Sequence, residues 1–374
     1  MSMNIFLSCG EVSGDIYAGG FIREFLKINP DAEIWGLMGP ESVKAGGREI
    51  WSYEELKLMG ILEVIPALPR IFRLKNSIVR EVIRANPDAA VLLDSPDFNL
   101  LLARSLRKAG YTNKIISLIP PTVWAWRAGR VKNLRRDFDL CLPLFSFEHK
   151  FLLENHVNSL WKAHPLVHDL RYVSVPDEFT QRFSGQRVIA LMPGSRKYDI
   201  NFHIDILIET AKILRERNYC PVFSIAQGLS ADLAGLLRER VKGFEIWEGR
   251  GRGLMAGSLA VAGVSGTVAV EAMLLGRYMV VIYNMKRMTY EILKRLVHVK
   301  KISIPNYLTS KPVYPELICK DAAPSRIVQE LENYLCNETN KQEIDSRLKE
   351  ARALMGEDNA AEFWAESVRE VLRN

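Results

Sequence analysis

Ala89-Ala90-Val91-Leu92-Leu93 is an uninterrupted apolar run that stops abruptly at Asp94-Ser95-Pro96-Asp97-Phe98-Asn99. A second apolar pattern, Leu100, Leu101, Leu102 and Leu106, begins at once. A continuous hydrophobic run of strand length is the mark of a parallel strand covered on both faces, and the segment after it reads as a helix starting near Asn99. That pairing points to an open α/β sheet, whose ligands bind beyond the carboxyl ends of the strands. Pro96 stiffens the turn that carries Asp97. Two readings of the turn stay open at this level. Asp97 and Asn99 either present functional groups at a strand end or cap the helix, the commonest use of Asp and Asn at such a boundary.

The same alternation runs through the chain. Strand-like runs at Asn4–Ser8, Ala32–Leu37, Lys114–Ile119 and Leu140–Leu144 join Ala90–Leu93 in the first half. A second series follows at Val188–Met192, Pro221–Ile225, Phe244–Trp247, Leu259–Ala262 and Tyr278–Tyr283. The stretch from His164 to Gln186 has prolines and weak periodicity, and the inter-domain connection is placed there. Beyond Pro324 the pattern is helical, ending in an apolar stripe of Phe363, Val368, Val371 and Leu372. A chain of 374 residues favours two domains, and two similar α/β halves facing each other across a cleft are expected.

The net charge of +6 suits anionic partners such as a phosphorylated substrate, a nucleotide or an acidic membrane surface. No block of like charge marks a nucleic-acid-binding arm. Cys9, Cys141, Cys220, Cys319 and Cys336 are scattered without a CxxC spacing, which argues for a reducing compartment and against structural zinc. The start of the chain lacks a signal-peptide pattern, and no apolar stretch is long enough to span a bilayer, so a cytoplasmic location is expected.

Several strand ends carry polar groups. Gly10-Glu11-Val12-Ser13-Gly14-Asp15 is neither GxGxxG nor a P-loop, yet a flexible turn at a helix start suits an anionic or hydroxyl-rich group. In Pro193-Gly194-Ser195-Arg196, small residues allow close backbone approach and Arg196 adds a bidentate phosphate donor. Ser265-Gly266-Thr267 opens a helix with exposed N–H groups and hydroxyls, and Glu271 lies one turn on, placed to accept from ribose hydroxyls. Each also has a plain reading, a turn with a surface arginine or an N-cap with a surface glutamate. Their combination favours a nucleotide-diphosphate site.

Other signals are weaker. Asp137-Phe138-Asp139 has the DxD form of a metal-diphosphate site but precedes its strand, so it is expected to cap or salt the start of that strand. His164 and His168 have the spacing of helical metal ligands, but Pro165 stands between them. No metal is expected. Ile71, Leu74, Ile78 and Val82 repeat at helical spacing beside Arg70, Arg73, Lys75, Arg80 and Arg84. This basic amphipathic helix follows the apolar loop Leu58–Ile65 and suits an anionic membrane surface, or else is a core helix with a solvated basic face. Pro120–Arg127, with Trp124 at its centre, concentrates aromatic and basic character where an acyl chain or sugar could lie.

Taken in order, Gly10–Asp15, Leu58–Val64, Asp94–Asn99, Val123–Arg127, Pro193–Arg196, Ser265–Thr267 with Glu271, and Pro305-Asn306 resemble the lipid A disaccharide synthase family. The resemblance implies a GT-B glycosyltransferase built of two Rossmann-like domains. Residues 1–164 would form the acceptor- and membrane-side domain, 165–350 the UDP-sugar domain, and 351–374 a C-terminal helix crossing back to the first domain. The implied reaction joins UDP-2,3-diacylglucosamine to 2,3-diacylglucosamine 1-phosphate with inversion, releasing UDP and needing no cofactor. By position, Asp97 would be the general base, Arg196, Ser265, Gly266, Thr267 and Asn306 would hold the diphosphate, and Glu271 the ribose, with Ser195 a further substrate-binding position. Glu11, Ser13, Asp15, Asn99, Trp124 and His164 would be further substrate-binding positions. Family members are peripheral inner-membrane proteins and can dimerise through exchanged C-termini, which the apolar tail stripe permits.

The chain departs from the family's usual residues at Ala163 (glycine), Asp199 (glutamate) and Cys319 (glutamine). The alternatives are another UDP-sugar GT-B enzyme with a different amphiphilic acceptor, a UDP-sugar epimerase, or a catalytically weak membrane-surface binding paralogue.

Overall fold

A computed structural model of the chain describes residues 2–56, 64–125, 128–286 and 301–373, without the side chains of 64–67. Leu58-Met59-Gly60-Ile61-Leu62-Glu63 and Trp126 with Arg127, all singled out above, fall outside the described residues. The chain divides into two compact units, Met1–Pro165 with Glu357–Asn374, and Leu166–Gly356.

The first unit holds a sheet of β1 (Asn4–Cys9), β2 (Glu33–Met38), β3 (Arg48–Ser52), β4 (Ala89–Leu93), β5 (Lys114–Leu118) and β6 (Leu140–Leu142). Their order is β3-β2-β1-β4-β5-β6, and every pairing is parallel. All five residues of β4 are buried, as a strand covered on both faces must be. Side chains alternate between two cores. Phe6, Ala90, Leu92 and Ile115 meet Leu74, Ile78, Val82, Leu102 and Leu106 from the helices Val64–Ala85 and Pro96–Lys108. Ile5, Leu7, Val91, Leu93 and Ile116 meet Phe21, Ile22 and Phe25 of the helix Val12–Ile28, and Trp364 and Val368 of the final helix Ala360–Arg373. The tail helix is thus part of the first unit's core.

The second unit repeats the plan with β7 (Val188–Met192), β8 (Cys220–Ser224), β9 (Glu245–Trp247), β10 (Ala260–Val264), β11 (Met279–Tyr283) and β12 (Glu316–Ile318). The order is β12-β11-β10-β7-β8-β9, again wholly parallel. Counted from each unit's own first strand, both sheets read 3-2-1-4-5-6, the doubly wound order of dinucleotide-binding folds. In such a sheet the chain leaves the first strand toward one edge and returns to the fourth toward the other. The crevice between those two strand ends is the ligand position. Here the crevices lie at β1/β4 and β7/β10.

Candidate active site

The β1/β4 crevice is built from the Gly10–Asp15 turn and the Asp94–Asn99 turn. Asp94 (φ 58°) and Ser95 (φ 42°) both take left-handed backbone, a costly conformation for residues with a Cβ and one that clusters at functional sites. A Cβ at Gly10 would stand 1.9 Å from Ser95 Oγ, so only glycine lets the two turns meet. Pro96 is the first residue of the helix Pro96–Lys108 and Asp97 lies in its first turn, so the helix begins three residues before the Asn99 start expected from sequence. Asp97 is exposed, with a close ion pair to Arg130. Ser13 hydrogen-bonds Asp94, whose carboxyl is raised from its ordinary range by burial. Glu11 is exposed and stands at the N-cap position of the helix Val12–Ile28.

Two residues expected to bind substrate turn inward instead. Asn99 is 4% exposed; its Oδ1 accepts from Ser8 Oγ at 2.9 Å, and its Nδ2 donates to the carbonyls of Leu93 (3.0 Å) and Asp94 (2.7 Å). It fastens the strained turn to β1. Asp15 is 3% exposed and accepts from the backbone N–H of Gly39, Glu41 and Ser42 and from Ser42 Oγ. Its carboxylate therefore caps the short helix Pro40–Lys44.

Trp124 and His164 share one cluster. The Trp124 indole donates to Glu148 Oε1 at 2.8 Å and its ring meets Phe147 edge-on, while His164 lies 4.9 Å from the Phe145 ring. Burial lifts the Glu148 carboxyl to about 7 and holds the His164 imidazole down to about 3. Glu148 is absent from the sequence-based expectations, because its partner Trp124 lies on a different element. Asp137 and Asp139, the DxD pair, are engaged by arginines: Arg136 Nη2 lies 2.6 Å from Asp137, and Arg107 Nη2 2.6 Å from Asp139.

The β7/β10 crevice is a pocket of about 520 Å³ whose lining includes Ser195, Arg196, Ser265, Gly266, Thr267 and Glu271. Six sequence-predicted residues are thereby brought together. Gly194 turns at φ 103°, where a Cβ would sit 2.6 Å from that of Asp199. Arg196 is exposed at the N-cap of the twenty-residue helix Lys197–Glu216, and Gly266 is the N-cap of the helix Thr267–Leu274. Two helix starts therefore aim unpaired N–H groups and partial positive charge at one pocket, beside a guanidinium. Arg252, which sequence reasoning missed, donates from Nε to Glu271 Oε1 at 2.8 Å, holding that carboxylate in one orientation. Ser265 Oγ donates to the Ile302 carbonyl at 2.9 Å. Behind Asp199, the buried His203 bridges the Asp199 carbonyl (2.6 Å) and the Asn284 N–H (2.6 Å), which makes it a neutral imidazole with Nδ1 protonated.

Asn306, expected at the diphosphate, is not in this lining. It is 1% exposed, accepts from the N–H of Val313 and Tyr314, and donates to the Tyr314 carbonyl and to Glu316 Oε1. Its amide is fully engaged inside the protein and ties the segment after residue 300 to the start of β12.

The sequence model of a family described as lipid-A-disaccharide synthetase matches residues 5–368. A lipid-A-disaccharide synthase of Geobacter sulfurreducens is 34% identical over 99% of this chain and 98% of its own. One of Chromohalobacter salexigens is 33% identical over 98% and 96%. Among solved structures, a UDP-GlcNAc 2-epimerase from Neisseria meningitidis superposes with a TM-score of 0.60 at 11% identity, covering 100% of this chain and 100% of its own. A glycosyltransferase from Rickettsia africae gives 0.57 at 12%, covering 100% and 99%. At these identities the structures speak for the fold, the paired α/β units of GT-B glycosyltransferases. Family-wide similarity along the whole chain is a different matter, and by it this protein belongs to the lipid-A-disaccharide synthetase family.

Proposed function

We propose that the chain is an inverting glycosyltransferase that joins UDP-2,3-diacylglucosamine to 2,3-diacylglucosamine 1-phosphate, giving the β-1,6-linked lipid A disaccharide 1-phosphate and UDP. The observation that carries this reading is family membership over residues 5–368. The two crevices supply groups that suit it.

In the β7/β10 pocket, the start of the helix Thr267–Leu274, Ser195 and Arg196 suit a diphosphate, and Glu271, oriented by Arg252, suits the ribose hydroxyls. As the anomeric C–O bond breaks, its electrons pass to the β-phosphate oxygen, where these donors stabilise the growing charge. Asp97 takes the proton from the acceptor 6-hydroxyl as O6 bonds to the anomeric carbon from the opposite face. Asp94, half-buried in the strained turn just before it, shapes the loop that carries Asp97.

We also propose docking on an anionic membrane. The stripe Leu74, Ile78 and Val82 is core, so what the helix Val64–Ala85 offers outward is Leu68, Phe72 and Ile83 among exposed Arg70, Arg73, Arg80 and Arg84. No described helix is long and apolar enough to cross a membrane.

The test is UDP release from UDP-2,3-diacylglucosamine in mixed micelles, with and without the acceptor. Acceptor-dependent release with a disaccharide product is expected, together with loss of turnover in a folded Asp97→Asn variant. Acceptor-independent conversion of the UDP-sugar would point to an epimerase. UDP binding without any product would refute the transferase reading.

A further inference from the structure

Beside Asp97, the first unit has a pocket of about 350 Å³, lined by Asp97, Leu100, Leu101, Arg104, Arg130, Asn133 and Arg136. Its charge is not balanced internally: three guanidiniums face the carboxylates of Asp97 and Asp137. Asp137 is buried and held tightly by Arg136, with contacts of 2.9 and 2.6 Å. Arg104 reaches the same carboxylate only at 3.4 Å and is 40% exposed, so its fork is loosely engaged. Arg130 pairs with Asp97. A guanidinium has five N–H donors, enough to hold a carboxylate and a second anion at once. Arg104, Arg130 and Asn133 thus present donors around a solvent-open space, with Leu100 and Leu101 as an apolar wall.

We propose that this pocket binds the anomeric phosphate of the acceptor, a sugar phosphomonoester, with Arg104 and Arg130 as its main ligands. This rests on the transferase reading above and adds to it the residues that recognise the acceptor. Bidentate arginine is the usual device for such a group. Through Arg130 the phosphate and the base share one guanidinium, so binding the acceptor also fixes Asp97 relative to the sugar ring.

The test compares wild type with Arg104→Gln and Arg104→Lys in neutral-detergent micelles, each checked for an unaltered thermal transition. Acceptor KM in Arg104→Gln should rise about tenfold or more, the loss of one charge-assisted pair, while the donor KM stays within about twofold. Lys, which keeps charge without the fork, should fall between. The preference in kcat/KM for the acceptor over its dephosphorylated form should collapse by the same factor in Arg104→Gln. An equal rise in both KM values, or an unchanged phosphate preference, would overturn the assignment. So would lost binding to phosphatidylglycerol vesicles with acceptor KM unchanged, which would make the pocket a lipid head-group site. Absence of disaccharide from the wild type would instead refute the transferase reading, and the inference with it.

Discussion

Asp15→Ala separates a structural carboxylate from a ligand-binding one. The side chain accepts three backbone N–H bonds of 2.8–3.1 Å and one hydroxyl at 2.5 Å. Alanine would strand the N–H groups of Gly39 and Ser42 in buried surroundings and uncap the helix Pro40–Lys44. A stranded buried donor costs about 1–3 kcal/mol. The donors share one charge, and water can enter the space left by the carboxylate, so the losses do not add in full. A destabilisation of about 3–4 kcal/mol follows. For a unit of this size that is a fall of roughly 6–16 °C in the first unit's melting temperature.

Circular dichroism on heating reads the stability. Calorimetric titration with UDP below the transition reads the second unit's pocket, which Asp15 does not line. The expected result is a large fall in melting temperature with UDP affinity unchanged. Asp15→Asn should behave similarly, since its amide N–H₂ would face donors. A variant that melts within about 2 °C of wild type and loses acceptor affinity would refute the cap and restore Asp15 as a ligand group.

In the β7/β10 pocket, Arg252→Ala should weaken UDP binding on the order of tenfold and weaken 2′,3′-dideoxy-UDP far less, because the arginine acts through Glu271. Equal losses for both nucleotides in the titration would refute that route. Stability should also depend on pH in opposing ways. His164, His149 and His203 have imidazoles held below their ordinary range by burial. They are neutral in both states above about pH 6.5; below it the unfolded chain binds protons that the folded one resists, and stability falls with acidification. Glu148, lifted to about 7, does the reverse, losing stability as pH rises from about 4.5 to 7. Glu148→Gln should therefore steepen the fall in urea-derived stability between about pH 6.5 and 4.5, and an unchanged slope would show that Glu148 is ionised in the fold.

Interior strands were legible because their residues have no choice. Ala89–Leu93 and Val188–Met192 are apolar without interruption, and a strand covered on both faces admits little else. β3 and β12 went unread for the converse reason. Each is the outermost strand of its sheet, bonded on one side only. β3 keeps Arg48, Glu49 and Ile50 exposed, and β12 is only three residues long. The other two edge strands, β6 and β9, were legible despite their position, because Leu140-Cys141-Leu142 is wholly apolar and β9 carries Ile246 and Trp247 directly after Phe244.

The site divides on the same line. Glycines, hydroxyls and charges at the end of an apolar run mark a strand end wherever it folds, which is why the amino-acid order alone gathers Ser195, Arg196, Ser265–Thr267 and Glu271. Whether such a group faces a ligand or the protein depends on partners far away in sequence. Asp15 is claimed by residues 39–42, Asn99 by Ser8, and Asn306 by residues 313–316. Each is buried, and each polar contact it makes is one fewer it can offer a substrate. Arg130 shows the opposite case: unremarked in the sequence, it is brought to Asp97 by the fold. The exposed polar groups are then distributed by chemistry. The β7/β10 crevice has donors and helix starts, which suit a departing diphosphate; the β1/β4 crevice has carboxylates on a strained turn, which suit proton removal. Inverting transfer needs both capacities, and the same strand order, used twice, presents one in each unit.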